Sequence, residues 1–232
     1  IGFAEERLLG FVWSKQKTIL RSIQGNRFTA VKAAHDVSKS WTAALAACWW
    51  IATRPLGSAF VVTLAPTAHQ VRGILWREIK AIHTSGGLPG RMNQAEWIIG
   101  NTLVGIGRSP DDNNPTAIQG YHADEVLVII DEADGTGDLL FGAAETLVAN
   151  ALSRMLAIGN PDNPGSQFAT VCKSDSGWNV MTISAFDSPN LCGEEMPDWL
   201  KNPWCFRCWK CAASCTHFMW ACHRCGASPE EF

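Results

Sequence analysis

The chain has no long apolar run and no excess of positive charge. Its longest strongly apolar stretch, residues 43–52, is ten residues long before Thr53 and Arg54 interrupt it. That is well short of the roughly 20 residues a membrane-spanning helix needs, so a soluble chain is expected. Charged residues make up only 18%, with 19 basic against 22 acidic and a formal net charge of -3. No global basic field coats the molecule, and any nucleic-acid contact must be local. The chain opens with Ile1 rather than Met and shows no charged-then-apolar leader, which predicts a fragment or a processed chain rather than a secreted protein. Cysteine is nearly absent from the first 200 residues, where Cys48, Cys172 and Cys192 stand singly as in a reducing-compartment protein. There is no internal repeat and no low-complexity run before residue 200. What remains is 232 residues, 47% hydrophobic, enough for one compact domain with a small appendage.

Residues 1–200 alternate strand-like and helix-like patterns, the signature of a mainly parallel central sheet flanked by helices. Strands are predicted at 28–33, 59–64, 126–130, 155–158 and 180–183, and helices at 39–53 and 68–83. Val71, Leu75, Ile79 and Ile82 recur at helical spacing in the second helix. Gly100-Asn101, between Trp97-Ile98-Ile99 and Thr102-Leu103-Val104, predicts a hairpin with a two-residue turn. A loop is predicted at 109–115. The apolar run 126–130 ends in Asp131-Glu132, as expected for a central strand buried on both faces.

Two segments carry chemistry. The first, Ala33-Ala34-His35-Asp36-Val37-Ser38-Lys39-Ser40, lies between a strand and a helix with the spacing of a phosphate-binding loop, in which backbone N–H groups and a helix N-terminus face phosphate. Lys39 and Ser40 match the pattern. Ala33 and Ser38 replace its two glycines, and the alternative reading is an ordinary surface turn before a helix. The second segment is the strand ending in Asp131 and Glu132, 92 positions after Lys39. An Asp there can hold Mg²⁺ and the following Glu can orient and deprotonate an attacking water. Such a strand is expected to lie next to the phosphate loop. Alternatively, the two acids merely cap a strand end.

Residues 10 to 200 resemble the ATPase domain of phage terminase large subunits. The resemblance rests on Gln16 with Ile19-Leu20; Ala34-His35 leading to Ser38-Lys39-Ser40-Trp41-Thr42-Ala43; Thr63-Leu64-Ala65-Pro66-Thr67 with Gln70-Val71; Gln119-Gly120-Tyr121-His122; residues 127–133; Ala157-Ile158-Gly159-Asn160-Pro161; and Asp187-Ser188-Pro189-Asn190, all in the family's order. It implies a P-loop NTPase fold and an ATP-hydrolysing motor that drives double-stranded DNA into a procapsid. ATP and Mg²⁺ are the implied ligands. A portal protein and a small terminase subunit are the implied partners, in a homo-oligomeric ring in the cytoplasm of the infected bacterial host, with no membrane involved. The family's nuclease domain is expected to be absent from this chain.

Residue by residue, the resemblance assigns the phosphate loop to Ala34, His35, Asp36, Val37, Ser38, Lys39, Ser40 and Trp41. Lys39 would contact the β- and γ-phosphates. Ser40 would ligate Mg²⁺, with Asp131 in its outer sphere and Glu132 as the catalytic carboxylate. Asn160, in the motif that follows a core strand, would sense the γ-phosphate; an ordinary Asn-Pro turn is the alternative. Gln16 would read the adenine edge, or be an exposed helix glutamine. Thr67 would link the ATP site to DNA, or cap the helix starting at Ala68, or both. His35 is expected to shape the loop rather than act as a base. Arg27, Arg72, Arg91 and Arg108 are candidates for a transition-state arginine, and the sequence does not choose among them.

Residues 201–232 differ from the rest. Cys205 and Cys208 form one CxxC pair and Cys222 and Cys225 another, with the spacing of a tetrahedral Zn²⁺ site. Six cysteines lie between Cys205 and Cys225, interleaved with Trp204, Trp209 and Trp220. That exceeds four ligands and departs from the charged linker the family shows here. A zinc knuckle, a frame-shifted end near Lys201 and a coincidental Cys-rich end all remain open. Two other functions stay in view: a degenerate, non-hydrolysing nucleotide-binding scaffold with a zinc-ribbon interaction module, and a helicase-like P-loop ATPase.

Overall fold

The computed structural model describes residues 2–3, 11–109, 120–196, 206–207 and 214–215. The chain divides into two compact units, Ile1–Asp187 and Ser188–Phe232. In the second, the described elements are a short helix, Pro189–Cys192, and an antiparallel pair of Phe206–Arg207 with Ser214–Cys215.

The first unit is built on an eight-stranded sheet. Its strands are β1 (Phe28–Ala33), β2 (Ala59–Leu64), β3 (Arg91–Asn93), β4 (Glu96–Ile99), β5 (Thr102–Arg108), β6 (Glu125–Asp131), β7 (Arg154–Gly159) and β8 (Asn179–Ile183), in the order β3-β4-β5-β2-β6-β7-β1-β8. The pairs β5-β2, β2-β6, β6-β7, β7-β1 and β1-β8 are parallel. Only β3 and β4, at one edge, run antiparallel to their neighbours. β7 lies between β6 and β1, so the strand ending in Asp131 stands two places from the strand that leads into the phosphate loop. Strand order is set by which helix crosses which face, and linear spacing carries no trace of it.

Helices cover both faces: α1 (Ser14–Gly25), α2 (Lys39–Ala52), α3 (Trp76–Ser85), α4 (Asp138–Leu147) and α5 (Gln167–Val171). The alternation of side chains along β6 explains the layering. Leu127 and Ile129 join one core with α1, α2 and α3, while Val126, Val128 and Ile130 join a second with Phe141, Ala144 and Phe168. β2 and β6 are therefore apolar at nearly every position, as parallel strands covered on both faces must be. The alanine-rich sequence of α2 favours helix and lets its backbone lie close to the sheet; Ala43, Ala44, Ala46 and Ala47 are all buried.

At the antiparallel edge, Gly100 at φ 60° opens the two-residue turn between β4 and β5, the conformation that glycine adopts without a Cβ penalty. The helix beginning at Ala68 is π-helical over Gln70–Leu75 before continuing as α3. Among the described residues no helix is long and apolar enough to cross a membrane.

Candidate functional site

Because the central strands are parallel, β1, β6 and β7 all end on one edge of the sheet, where ligands bind in open α/β folds. Three loops meet there. The first runs from β1 to α2. Val37 is buried and anchors it, while Asp36 at φ 59° and Ser38 at φ 60° turn the chain through the left-handed region. Ser38 occupies the N-cap position of α2, yet its side chain caps nothing. The first-turn N–H groups of a 14-residue helix thus carry no side-chain cap, and they add their partial positive charge to the site.

Lys39, the first residue of α2, is buried. Its ammonium donates to the Ala34 carbonyl at 3.0 Å and to Asn160 Oδ1 at 2.7 Å. Lysine can only donate, so the Asn160 amide must turn its oxygen toward Lys39. Its nitrogen then lies 2.6 Å from His35 Nε2, which accepts and therefore carries no proton there. Lys39, Asn160 and His35 form one polar chain across the ends of β1 and β7.

Ser40 Oγ donates to Asp131 Oδ2 at 2.8 Å, and the Glu132 N–H donates to Asp131 Oδ1 at 3.2 Å. Burial pushes the Asp131 carboxyl up to about 6, helped by the neighbouring Glu132 charge and opposed by the Ser40 and Glu132 hydrogen bonds and by Lys39. A buried carboxylate with hydroxyl, N–H and ammonium neighbours but, among the described residues, no directly paired cation is a strong acceptor for a further positive charge. Glu132 follows at φ 51°, ψ 48°, half-exposed at the start of a 3₁₀ turn, Ala133–Gly135. Gly159 makes this arrangement sterically feasible, because a Cβ at that position would stand 2.9 Å from the Ala133 nitrogen. Among the described residues no three His, Cys, Asp or Glu side chains gather as a ready-made metal cage. A serine hydroxyl beside a carboxylate is, however, the hard-oxygen donor pair that Mg²⁺ takes together with water and phosphate oxygens.

Lys39, Ser40, Asp131, Glu132 and Asn160 therefore share one end of the sheet, with Ala34 and His35 in direct polar contact with them. Trp41 is half-buried and packs against the core. Gln16 is buried rather than exposed, and its Oε1 accepts the Trp13 N–H at 3.2 Å; that contact ties it to the start of α1. Thr67 and Gln70 form a reciprocal cap, Gln70 N–H to Thr67 Oγ1 at 3.2 Å and Thr67 N–H to Gln70 Oε1 at 3.0 Å, so the capping reading of Thr67 holds. Of the four arginines, Arg27 donates to the Val148 carbonyl and Arg108 to the Tyr121 hydroxyl, whereas Arg72 and Arg91 are exposed. Gln119 and the zinc candidates Cys205, Cys208, Cys222 and Cys225 lie outside the described residues.

The tie between Asp134 and Ser166, Ser166 Oγ donating to Asp134 Oδ1 at 2.7 Å, went unanticipated. Ser166 ahead of a short apolar helix is a readable cap signal; its partnership with an acid 32 residues earlier has no sequence signature.

No family model matches the chain. In sequence it is 26% identical over 166 residues to the "probable terminase, large subunit" of Enterobacteria phage P7, covering 67% of this chain and 33% of that protein. It spans about a third of that relative's length. In structure it is similar to the large terminase of the thermophilic bacteriophage D6E, with a TM-score of 0.64 at 12% identity over 83% of this chain and 49% of that one. It is also similar to the ATPase domain of the Thermus phage P74-26 large terminase, with a TM-score of 0.56 at 16% identity over 79% and 85% of the two chains. The fold is that of large-terminase ATPase domains. A further crystal form of the D6E protein has been solved in complex with ADP and with ATP-γ-S.

Proposed function

We propose that this chain binds and hydrolyses ATP as the P-loop motor domain of a phage terminase large subunit, driving double-stranded DNA into a procapsid. The observation that carries the proposal is the convergence of Lys39, Ser40, Asp131, Glu132 and Asn160 at the uncapped N-terminus of α2. On this reading the first-turn amides of α2 and the backbone of residues 34–38 cradle the phosphates. Lys39 exchanges its two intramolecular acceptors for β- and γ-phosphate oxygens. Ser40 and Asp131 hold Mg²⁺, which, when bound, neutralises charge developing on the phosphates. Glu132 orients the attacking water and takes its proton. Asn160, released from Lys39, keeps its amide oriented through His35 and meets the γ-phosphate.

The similarity to terminases supports the wider setting: double-stranded DNA as track, a portal protein and a small terminase subunit as partners, a homo-oligomeric ring as the working form, and the infected host's cytoplasm as the place. Gln16 remains the proposed adenine-side residue, positioned through the start of α1.

DNA-stimulated ATP hydrolysis tests the reading. Glu132→Ala is expected to lower the rate by about 10²- to 10⁴-fold, the usual worth of a general base, with ATP-γ-S binding retained. Lys39→Ala is expected to weaken nucleotide binding itself. Hydrolysis indifferent to both substitutions would remove the assignment, and a parent chain that binds nucleotide without hydrolysing it would favour a non-hydrolysing scaffold.

A further inference from the structure

The turn that follows Glu132 is held from three sides. Gly159, at the end of β7, lets the backbone of residues 132–134 approach so closely that a Cβ there would lie 2.9 Å from the Ala133 nitrogen and 3.4 Å from the Asp134 nitrogen. Gly135 lies against Pro66, in the loop after β2, where a Cβ would stand 2.9 Å from Pro66 Cγ. The third hold is a side chain: Asp134 Oδ1 accepts the Ser166 hydroxyl at 2.7 Å and Oδ2 accepts the Asn163 N–H at 2.9 Å. Ser166 in turn accepts the Ala169 N–H at 3.0 Å as the N-cap of α5, and α5 is pinned to the core by buried Phe168 and Val171.

Hydrogen bonds to a carboxylate are the strong ones, and a non-glycine residue such as Glu132 stays in the left-handed region only where its surroundings over-determine it. Two residues past Asp134, the Thr136 hydroxyl is buried and has no hydrogen-bond partner among the described residues.

We infer that Asp134 is a positioning residue: it fastens the Glu132 turn to the Asn160–Ser166 loop, so that a γ-phosphate meeting Asn160 and the carboxylate that activates water move as one body. This rests on the ATPase reading above. In this role it acts through Glu132 rather than on nucleotide or water.

Asp134→Ala, Ser166→Ala, their double variant and Ser166→Thr, which keeps the hydroxyl, are compared with the parent. The expected result is ATP-γ-S affinity within about threefold of the parent, single-turnover hydrolysis lowered at least about tenfold in each alanine variant, no further loss in the double variant, and recovery in Ser166→Thr. Affinity and hydrolysis falling together, additive losses, or hydrolysis equal to the parent would overturn the inference. Amide exchange in the nucleotide-free protein gives an answer that does not depend on catalysis. Asp134→Ala is expected to accelerate exchange over residues 133–136 and 163–169 together while β6 and β7 stay protected; acceleration confined to 163–169 would show no mechanical link. Lys39→Ala binding ATP-γ-S as tightly as the parent would instead sink the nucleotide-site reading, and the exchange experiment would still decide the link.

Discussion

Two helices at the same edge of the sheet begin after a serine, and the two starts are built in opposite ways. Ser166 sits at φ -74°, ψ 156° and its hydroxyl oxygen takes the Ala169 N–H, closing the end of α5. Ser38 sits at φ 60°, ψ 39°, caps nothing, and leaves the start of α2 open beside Lys39 and Ser40. An N-cap normally stabilises its helix by about 1 kcal/mol, and a left-handed non-glycine residue costs roughly 1–2 kcal/mol. The open start therefore forgoes the one and bears the other. Stability yields at this point to a row of amides without a side-chain cap, whereas at the start of α5 the same amino acid is used as a conventional cap.

The largest predicted stability effect sharpens this contrast. Asp131 faces the open start with its carboxyl raised from 3.8 to about 6. Below about pH 4 folded and unfolded chains both hold the proton and no penalty arises. The penalty grows between pH 4 and 6 and is full above pH 6, on the order of 3 kcal/mol. In magnesium-free buffer Asp131→Asn should therefore raise chemical-denaturation stability at pH 7 by about 2–3 kcal/mol, with the gain vanishing near pH 4, while abolishing hydrolysis. A pH-independent gain would show that burial of the charge is not the cause.

A smaller effect of opposite sign is expected at the closed start. Ser166→Ala should cost about 1–2 kcal/mol, because both the cap and the bond to Asp134 are lost, and thermal melting with unchanged midpoint would refute this. The smallest is at Ser38. Ser38→Gly relieves about 1–2 kcal/mol of left-handed strain against about 0.5–1 kcal/mol of added chain entropy, so stability should rise by less than about 1 kcal/mol. Hydrolysis rate or ATP affinity should rise with it as the loop approaches phosphate more freely. A fall in stability and no change in either activity would show that Ser38 is at no disadvantage there.

Much of the fold is legible because its strands are short apolar runs bounded by turn residues. β1 and β2 begin and end where the pattern places them, as does the hairpin turn at Gly100-Asn101. The elements that escaped lack that contrast. Arg91–Asn93 pairs as an edge strand although Arg91 and Asn93 are exposed, because edge pairing rests on backbone hydrogen bonds that any sequence can make. α4 escaped because its apolar residues follow no clean period: Leu139 is 69% exposed next to buried Leu140 and Phe141. Gln16 carries two readings in the sequence, an adenine reader or an exposed helix glutamine; it is buried, and its oxygen accepts the Trp13 N–H at the start of α1.

In the site, the types and order of Lys39-Ser40, Asp131-Glu132 and Gly159-Asn160-Pro161 stand in the chain itself, since a phosphate loop and an acidic strand end are local patterns carried by neighbouring residues. Their meeting is a different matter. Ser40 and Asp131 are 91 residues apart and Lys39 and Asn160 are 121 apart, and they touch because β7 is inserted between β6 and β1 and all three strands end on one edge. Periodicity and turn chemistry act over a few residues and so are written in the sequence alone. Strand order, the His35–Asn160–Lys39 chain and the clasp of Asp134 on Ser166 depend on which faces pack together, and only the tertiary structure decides that.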